Sequence, residues 1–419
     1  MKKNEDEEYQ SLNIKNNKVK QKNKKKIKKY IDSNIQASNI KLEKVIRNSS
    51  FELLRFILMM FIVLSHILFH TKSLPKLDEK NYKTIINNNY ILLRIISNYG
   101  KLADITFCMI SGYFSIKRLN FHYIKFILIA SQIYFYHYLF YYLSFKLKNI
   151  YPDIYLLNQK IGSVYFPLTT SLGHWFAQHY LLLLIFMPFI NTGLLSLSHE
   201  QYKTLVILII IFYCILRSFF NVFKIENSVF AATQLIKIML PYFIGGYIRL
   251  FDLNNPLFWK ILGFICFLLT IIFEFVYEKA AIYYNNYIYI LLQNEISLNI
   301  NSLLLFFCSI GLICMFKDII IYNKTINFIS ASVLGVYLIH ANKNIAPFIY
   351  NGWFKTNDYN QEYFFIKYFT KAFIIFFISL FIDIIRRYTV GLVFEYILYH
   401  FINIFKEKSK FFDTNVLII

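Results

Sequence analysis

The sequence predicts an all-α polytopic membrane protein, a bundle of about ten transmembrane helices. Three observations predict it. Of the 419 residues, 57% are hydrophobic and only 16% are charged, whereas soluble chains carry about 25% charged residues. Mean hydropathy is +0.44. Apolar runs of the length a helix needs to cross a bilayer, about 20 residues, recur along the chain, and only 12 Gly and 7 Pro interrupt it. So little polar surface excludes a set of soluble domains, and the apolar content excludes disorder over the whole length. The net charge of +21 must then be placed.

Residues 1–50 take fourteen Lys/Arg against six acids. They lack the apolar core and small-residue cleavage site of a signal peptide. A segment of this charge could bind nucleic acid or an anionic membrane surface; we read it instead as a disordered basic cytoplasmic tail, with no nucleic-acid partner. Lys, Asn, Ile, Tyr and Phe are all over-used, as an A/T-rich coding sequence gives, so lysine and aromatic counts are not themselves functional signals. Candidate spans follow at 51–70, 96–116, 124–145, 174–193, 204–221, 232–250, 258–277, 298–316, 329–349 and 363–385, with stops such as Lys117-Arg118, Asn254-Asn255-Pro256 and Arg386-Arg387. Ten spans put both termini on one side. The basic amino tail and Arg386-Arg387 make that side cytoplasmic by the positive-inside rule, in the cell (inner or plasma) membrane. Residues 51–385 thus form the transmembrane domain, and 386–419 a cytoplasmic or interfacial tail. The five cysteines fall in apolar runs without a CxxC pair, so neither a disulfide framework nor a zinc site is expected. No phosphate-binding loop is present, which argues against an ATP-driven pump.

Polar side chains inside spans are expensive, and chemistry is sought there. The first span, Phe51 to His70, holds Arg55 and His66. Eleven helical steps make about three turns plus roughly 20°, so the two share one face, about 16 Å apart along the axis. Arg55 would lie near the cytoplasmic boundary and His66 just beyond mid-bilayer. The plainer alternatives are that Arg55 snorkels or pairs with Glu52 at i−3, and that His66 is a hydrogen-bonded packing residue. His66 and His70 have the i, i+4 spacing of metal ligands, but no carboxylate or Cys completes a set, so no metal is expected. Glu274 with Arg217, and Asp383 with Arg386 or Arg387, are candidate structural pairs.

This first span resembles the opening helix of the acyltransferase-3 family, integral-membrane acyltransferases that O-acetylate surface glycans: Glu52, then Arg55, then His66 after ten residues. Further segments follow in the family's order. Asp104 to Arg118 is similar to its polar-x-F…SGYF helix end, with Ser111, Gly112 and Tyr113 in the matching positions. His174 to Asn191 resembles its W-[YF]-x-x-x-Y-L…P-F-[LI]-N segment through Trp175, Tyr180, Pro188 and Asn191. Leu240 to Phe251 looks like its glycine-containing span with a trailing Arg, and Ile329 to Asn342 like S-x-x-x-[FL]-G-[IV]-Y-L-I-H, with Ser330 or Ser332, Gly335, Tyr337 and His340. One departure is that Lys117, Arg118 and Lys125 are the only bases near SGY, where the family carries an Arg-rich pattern. Taken individually, SGY is also compatible with a close helix contact, and Trp175, Tyr180 and Tyr337 with an interfacial belt.

The resemblance implies a donor of acetyl-CoA or another acyl-CoA, a substrate rather than a permanently bound cofactor, entering from the cytoplasm. Its phosphates would dock on Arg55, helped by Lys117 and Lys125, while His66 deprotonates a hydroxyl of an extracytoplasmic polysaccharide or glycan. Glu52, Ser111, Gly112, Tyr113, Trp175 and His340 would be substrate or structural positions. No esterase-like segment accompanies these spans, so the chain is expected to act alone or with separate acyl-accepting or polysaccharide-assembly proteins. The competing class is a polysaccharide or small-molecule transporter or flippase, for which twelve or more spans with related halves are expected.

Overall fold

The structure, a computed structural model, describes residues 48–71, 73–147, 174–223, 234–300, 302–351 and 358–408. Of the expected basic tail, residues 1–50, positions 1–47 lie outside the described residues. Every regular element among them is helical. The main helices are α1 (Ser50–Thr71), α2 (Asn88–Ser115), α3 (Tyr123–Leu147), α4 (Trp175–Ser196), α5 (His199–Val222) and α6 (Gln234–Phe251). They continue as α7 (Pro256–Tyr283), α8 (Ile288–Gln293), α9 (Leu303–Asp318), α10 (Lys324–Ser330), α11 (Val333–His340) and α12 (Phe364–Arg386).

Helix occurs in all ten predicted windows, but by length and composition five helices qualify to cross a membrane: α1, α4, α5, α7 and Phe364–Phe401. The other windows fall short for visible reasons. α3 carries six tyrosines in 25 residues, α2 holds Arg94, Lys101 and Asp104, and α9 has only 16 residues. The ninth window is not one helix. α10 and α11 are separated by a turn at Ala331–Ser332, and the Arg387 guanidinium donates there to the Phe328 carbonyl at 3.1 Å and the Ser332 hydroxyl at 3.0 Å. α12 does not stop at Arg386 either, but runs on through a π turn at Arg387–Gly391 into Leu392–Lys408.

Local sequence sets several helix starts. Asn87 accepts from the Tyr90 amide at 2.9 Å to begin α2, Ser198 and Gln201 form a capping box at α5, and Asn255 caps α7 with Pro256 in its first turn. α1 has no Pro or Gly and is apolar nearly all round, as suits a helix with neighbours on several sides. Its start is fixed by distant chain: the Ser49 amide donates to the Ile321 carbonyl at 2.6 Å, and Asn48 accepts from the Ile321 amide at 3.1 Å. This brings α10 alongside the first turn of α1.

Small residues set the tightest crossings. α1 and α2 are antiparallel: Phe51 stacks on Tyr113 at 5.3 Å and Phe61 meets Tyr99 at 5.3 Å, while Gly100 abuts Ser65. α2 and α6 run in the same direction, with Met109 against Gly245 and Tyr113 against Arg249. A Cβ on Gly112 would overlap the Tyr242 backbone. α7 and α9 meet at Gly263 and Gly311. All five cysteines are buried and free.

Candidate functional site

The unbroken α1 keeps Arg55 and His66 on one face, as the spacing requires, and each sits in its own polar cluster. At the His66 end, His66 Nδ1 lies 3.0 Å from His340 Nε2, and His340 Nδ1 lies 2.6 Å from the Val336 carbonyl. A carbonyl only accepts, so His340 Nδ1 carries the hydrogen and its Nε2, in the neutral ring, is an acceptor. His66 Nδ1 must then donate. The neutral His66 ring is left with its lone pair on Nε2, free to take a proton. His340 is fully buried at the carboxyl end of α11, whereas His66 keeps partial exposure.

Tyr337, one turn before His340, faces this pair and His174, with ring centroids 6.4 Å from His66 and 5.8 Å from His174. Asn342 accepts from the Asn344 amide at 3.0 Å, which turns its amide nitrogen towards His174 Nε2 at 3.3 Å. His70 stacks on Tyr350 at 4.6 Å. Among the described residues no group of three or more His, Cys, Asp or Glu is arranged to hold a metal ion.

At the other end, Arg55 Nη1 donates to Glu52 Oε1 at 2.5 Å, and the second Glu52 oxygen accepts from the Ser330 hydroxyl. Of the two serines open from sequence, Ser330 reaches the first helix and Ser332 binds Arg387. Arg55 lies over the Phe114 ring at 5.7 Å and keeps 27% side-chain exposure. Lys125 Nζ donates to the Tyr180 hydroxyl at 2.8 Å, and that hydroxyl lies within electrostatic reach of Arg55. Arg249, at the end of α6, lies over Tyr113 at 5.1 Å and donates to its hydroxyl at 3.3 Å. Arg55, Lys125 and Arg249 therefore border one shelf of Tyr113, Phe114 and Tyr180.

Other expected residues fall elsewhere. Lys117 is exposed on the turn after α2 and makes no hydrogen bond or ion pair among the described residues. Gly112 is a helix contact, as one reading of SGY proposed. Trp175 begins α4 against Phe176 and His179, with centroids 5.8 Å and 6.4 Å away. Glu274 pairs not with Arg217 but within a buried network: it accepts from Asn98 at 2.6 Å and from Gln293, with Arg94 3.9 Å away and 3.2 Å from Glu278. Asp383 takes Arg386 at 2.8 Å and Tyr136 at 2.7 Å, in space that a side chain on Gly335 would fill.

Sequence reasoning left His174 and Arg249 out of the site. The available signals were the trailing Arg of the sixth span and the His immediately before Trp175. It also gave His340 no role as partner to His66, because 274 residues separate the two.

A helical bundle built for lipid, with a poised imidazole pair at one end and a cationic aromatic shelf at the other, defines an integral-membrane protein with the means for proton transfer. Residues 48–385 match the family described as Acyltransferase domain, and the chain belongs to this acyltransferase-3 family. It is a membrane acyltransferase. No curated protein and no solved structure matches it.

Proposed function

We propose that the chain moves an acetyl, or another acyl, group from acyl-CoA to a hydroxyl of an extracytoplasmic polysaccharide or glycan. The observation that carries this reading is the ordered chain from Val336 through His340 to His66, which leaves a basic nitrogen on His66. Imidazole is the usual base near neutrality. His66 Nε2 takes the acceptor's hydroxyl proton as its oxygen attacks the thioester carbonyl. The C–S bond breaks, and the departing thiolate recovers that proton from His66. The products are an ester and free CoA.

Arg55 supports the donor half. A guanidinium binds phosphate oxygens in pairs and stays charged, and the extended pantetheine arm suits the roughly 16 Å that eleven helical residues put between Arg55 and His66. Phosphates at the Arg55 end, beside Lys125 and Arg249, place the thioester at the His66 end. The donor would approach from the cytoplasm and the acceptor from the opposite side, with both chain ends cytoplasmic. Separate polysaccharide-assembly proteins would deliver the acceptor.

The test uses membranes containing the full chain, radiolabelled acetyl-CoA and a carbohydrate fraction. Label should enter carbohydrate as base-labile ester with the wild type and not with His66→Ala or Arg55→Ala inserted at equal levels. Wild-type labelling by either variant overturns the assignment.

A further inference from the structure

The His66 end gathers three histidines about one tyrosine. The Tyr337 ring has the rings of His66, His340 and His174 at 6.4, 6.1 and 5.8 Å. Two of these imidazoles engage their N–H within the cluster, His66 with His340 and His340 with the Val336 carbonyl. His174 differs. Because Asn342 Oδ1 accepts from the Asn344 amide, its Nδ2 is left to donate to His174 Nε2 at 3.3 Å. An imidazole nitrogen that accepts carries no hydrogen, so the neutral His174 ring bears its hydrogen on Nδ1. That nitrogen is buried and has no hydrogen-bond partner among the described residues, on a side chain of a residue only 1% exposed.

An unmet buried donor is costly and calls for an explanation. This one is held in place. The His174 carbonyl accepts from the Gln178 amide at 3.1 Å to open α4, Asn342 fixes the opposite ring nitrogen, and the next residue but one, Phe176, packs on Tyr337 at 6.3 Å. His174 is also the residue that precedes the first turn of the 22-residue α4, the end of a helix where partial positive charge collects. A fixed N–H at such an end suits a negative oxygen.

Acyl transfer produces one. As the acceptor oxygen attacks, the carbonyl electron pair moves onto the thioester oxygen, and a donor must meet it. The N–H groups of His66 and His340 are already engaged, and Arg55 lies a pantetheine arm away. We propose that His174 is a catalytic residue whose Nδ1–H donates to the thioester carbonyl oxygen as it becomes an oxyanion. The new C–O bond forms while the hydroxyl proton passes to His66 Nε2, and His174 holds the displaced electron pair without giving up its proton. The pair then returns, the C–S bond breaks, and the thiolate recovers the proton from His66. The inference rests on the acyl-transfer reading above and adds to it the group that stabilises charge, beside the one that moves the proton.

The test uses membranes holding the full chain at matched insertion and labelled acetyl-CoA as donor. His174→Phe keeps a ring but no donor and should lower kcat by about 10²- to 10³-fold, the usual loss for one oxyanion donor, with donor KM unchanged. His174→Gln offers an amide N–H at similar reach and should recover part of that loss. Ethyl-CoA, a thioether without the carbonyl, should inhibit the wild type and both variants at the same concentration, because its binding does not call on this N–H. Wild-type kcat in His174→Phe overturns the inference, as do equal losses in the two variants. Inhibition by ethyl-CoA that weakens in step with kcat also overturns it and makes His174 a packing residue. A wild type that transfers no acetyl removes the acyl-transfer reading and this inference with it, whereas a wild type that transfers beside an unimpaired His174→Phe removes this inference alone.

Discussion

The two ends of α1 each hold a polar group that needs a partner, and they supply it differently. At the Arg55 end a permanent cation meets a carboxylate on its own helix, and that carboxylate is held in turn by Ser330 from α10. At the His66 end, among the described residues, no carboxylate hydrogen-bonds or ion-pairs with the imidazoles; one imidazole leans on a second, and the second on a backbone carbonyl. A cation with a resident counterion can exchange it for an incoming phosphate while the protein stays neutral there. A neutral imidazole with one nitrogen engaged has nothing to exchange, and its remaining lone pair can accept a proton. One end is arranged for docking an anion and the other for moving a proton.

Substitutions that strike one end and spare the other would break this contrast. The largest effect is expected at His66. His66→Ala should lower kcat for acyl transfer by about 10²- to 10⁴-fold, the usual worth of a general base, while the KM for acyl-CoA stays near the wild-type value. Steady-state transfer of labelled acetyl at several donor concentrations measures both. A large rise in donor KM instead would place donor phosphate at the wrong end.

Arg55→Ala should show the opposite pattern: a donor KM raised by about 10- to 100-fold, as for loss of charge-assisted phosphate bonds, with a smaller effect on kcat. Lysine at this position keeps the charge but not the paired geometry, so Arg55→Lys should fall between. A kcat-only defect in Arg55→Ala would make the arginine a structural partner of Glu52.

What was legible in the sequence bears on this contrast. The helix from Ser50 to Thr71 and the common face of Arg55 and His66 were legible, because helical periodicity needs only one segment. The partners were not. His340 and Ser330 come from chain nearly 280 residues away, and Arg94 rather than Arg217 faces Glu274 because lateral order in a bundle is set by packing, which the succession of spans does not encode. Of the ten windows, five hold helices that qualify to cross a membrane by length and composition among the described residues. Periodicity and apolarity marked where helix forms, while the tyrosines of α3 and the break between α10 and α11 decide whether it is long and apolar enough to cross.

His340 tests whether the relay matters beyond packing. His340→Ala removes the acceptor for His66 Nδ1–H and frees the ring to rotate or change tautomer, so kcat should fall by about 10- to 100-fold with donor KM unchanged, as when an outer partner of a functional His is lost. Glutamine offers a carbonyl oxygen at similar reach, and His340→Gln should recover part of that loss. A purely structural role predicts instead that both variants lose assembled protein in proportion to activity, which quantitation of the membrane-inserted chain reads directly.

The smallest effect sharpens the docking end alone. Lys125 and Lys117 look equivalent in sequence as bases after SGY, but only Lys125 reaches the shelf, through the Tyr180 hydroxyl at 2.8 Å. Lys117 is exposed and makes no hydrogen bond or ion pair among the described residues. A charge at the edge of a phosphate site contributes modestly, about 1 kcal/mol or somewhat less when partly solvated. Lys125→Ala should therefore raise the donor KM about three- to five-fold, with the slope against ionic strength reduced, and Lys117→Ala should leave both unchanged. Equal effects from the two lysines would mean that the donor senses only the overall positive potential at this end, and the built shelf of Tyr113, Phe114 and Tyr180 would lose its assigned purpose.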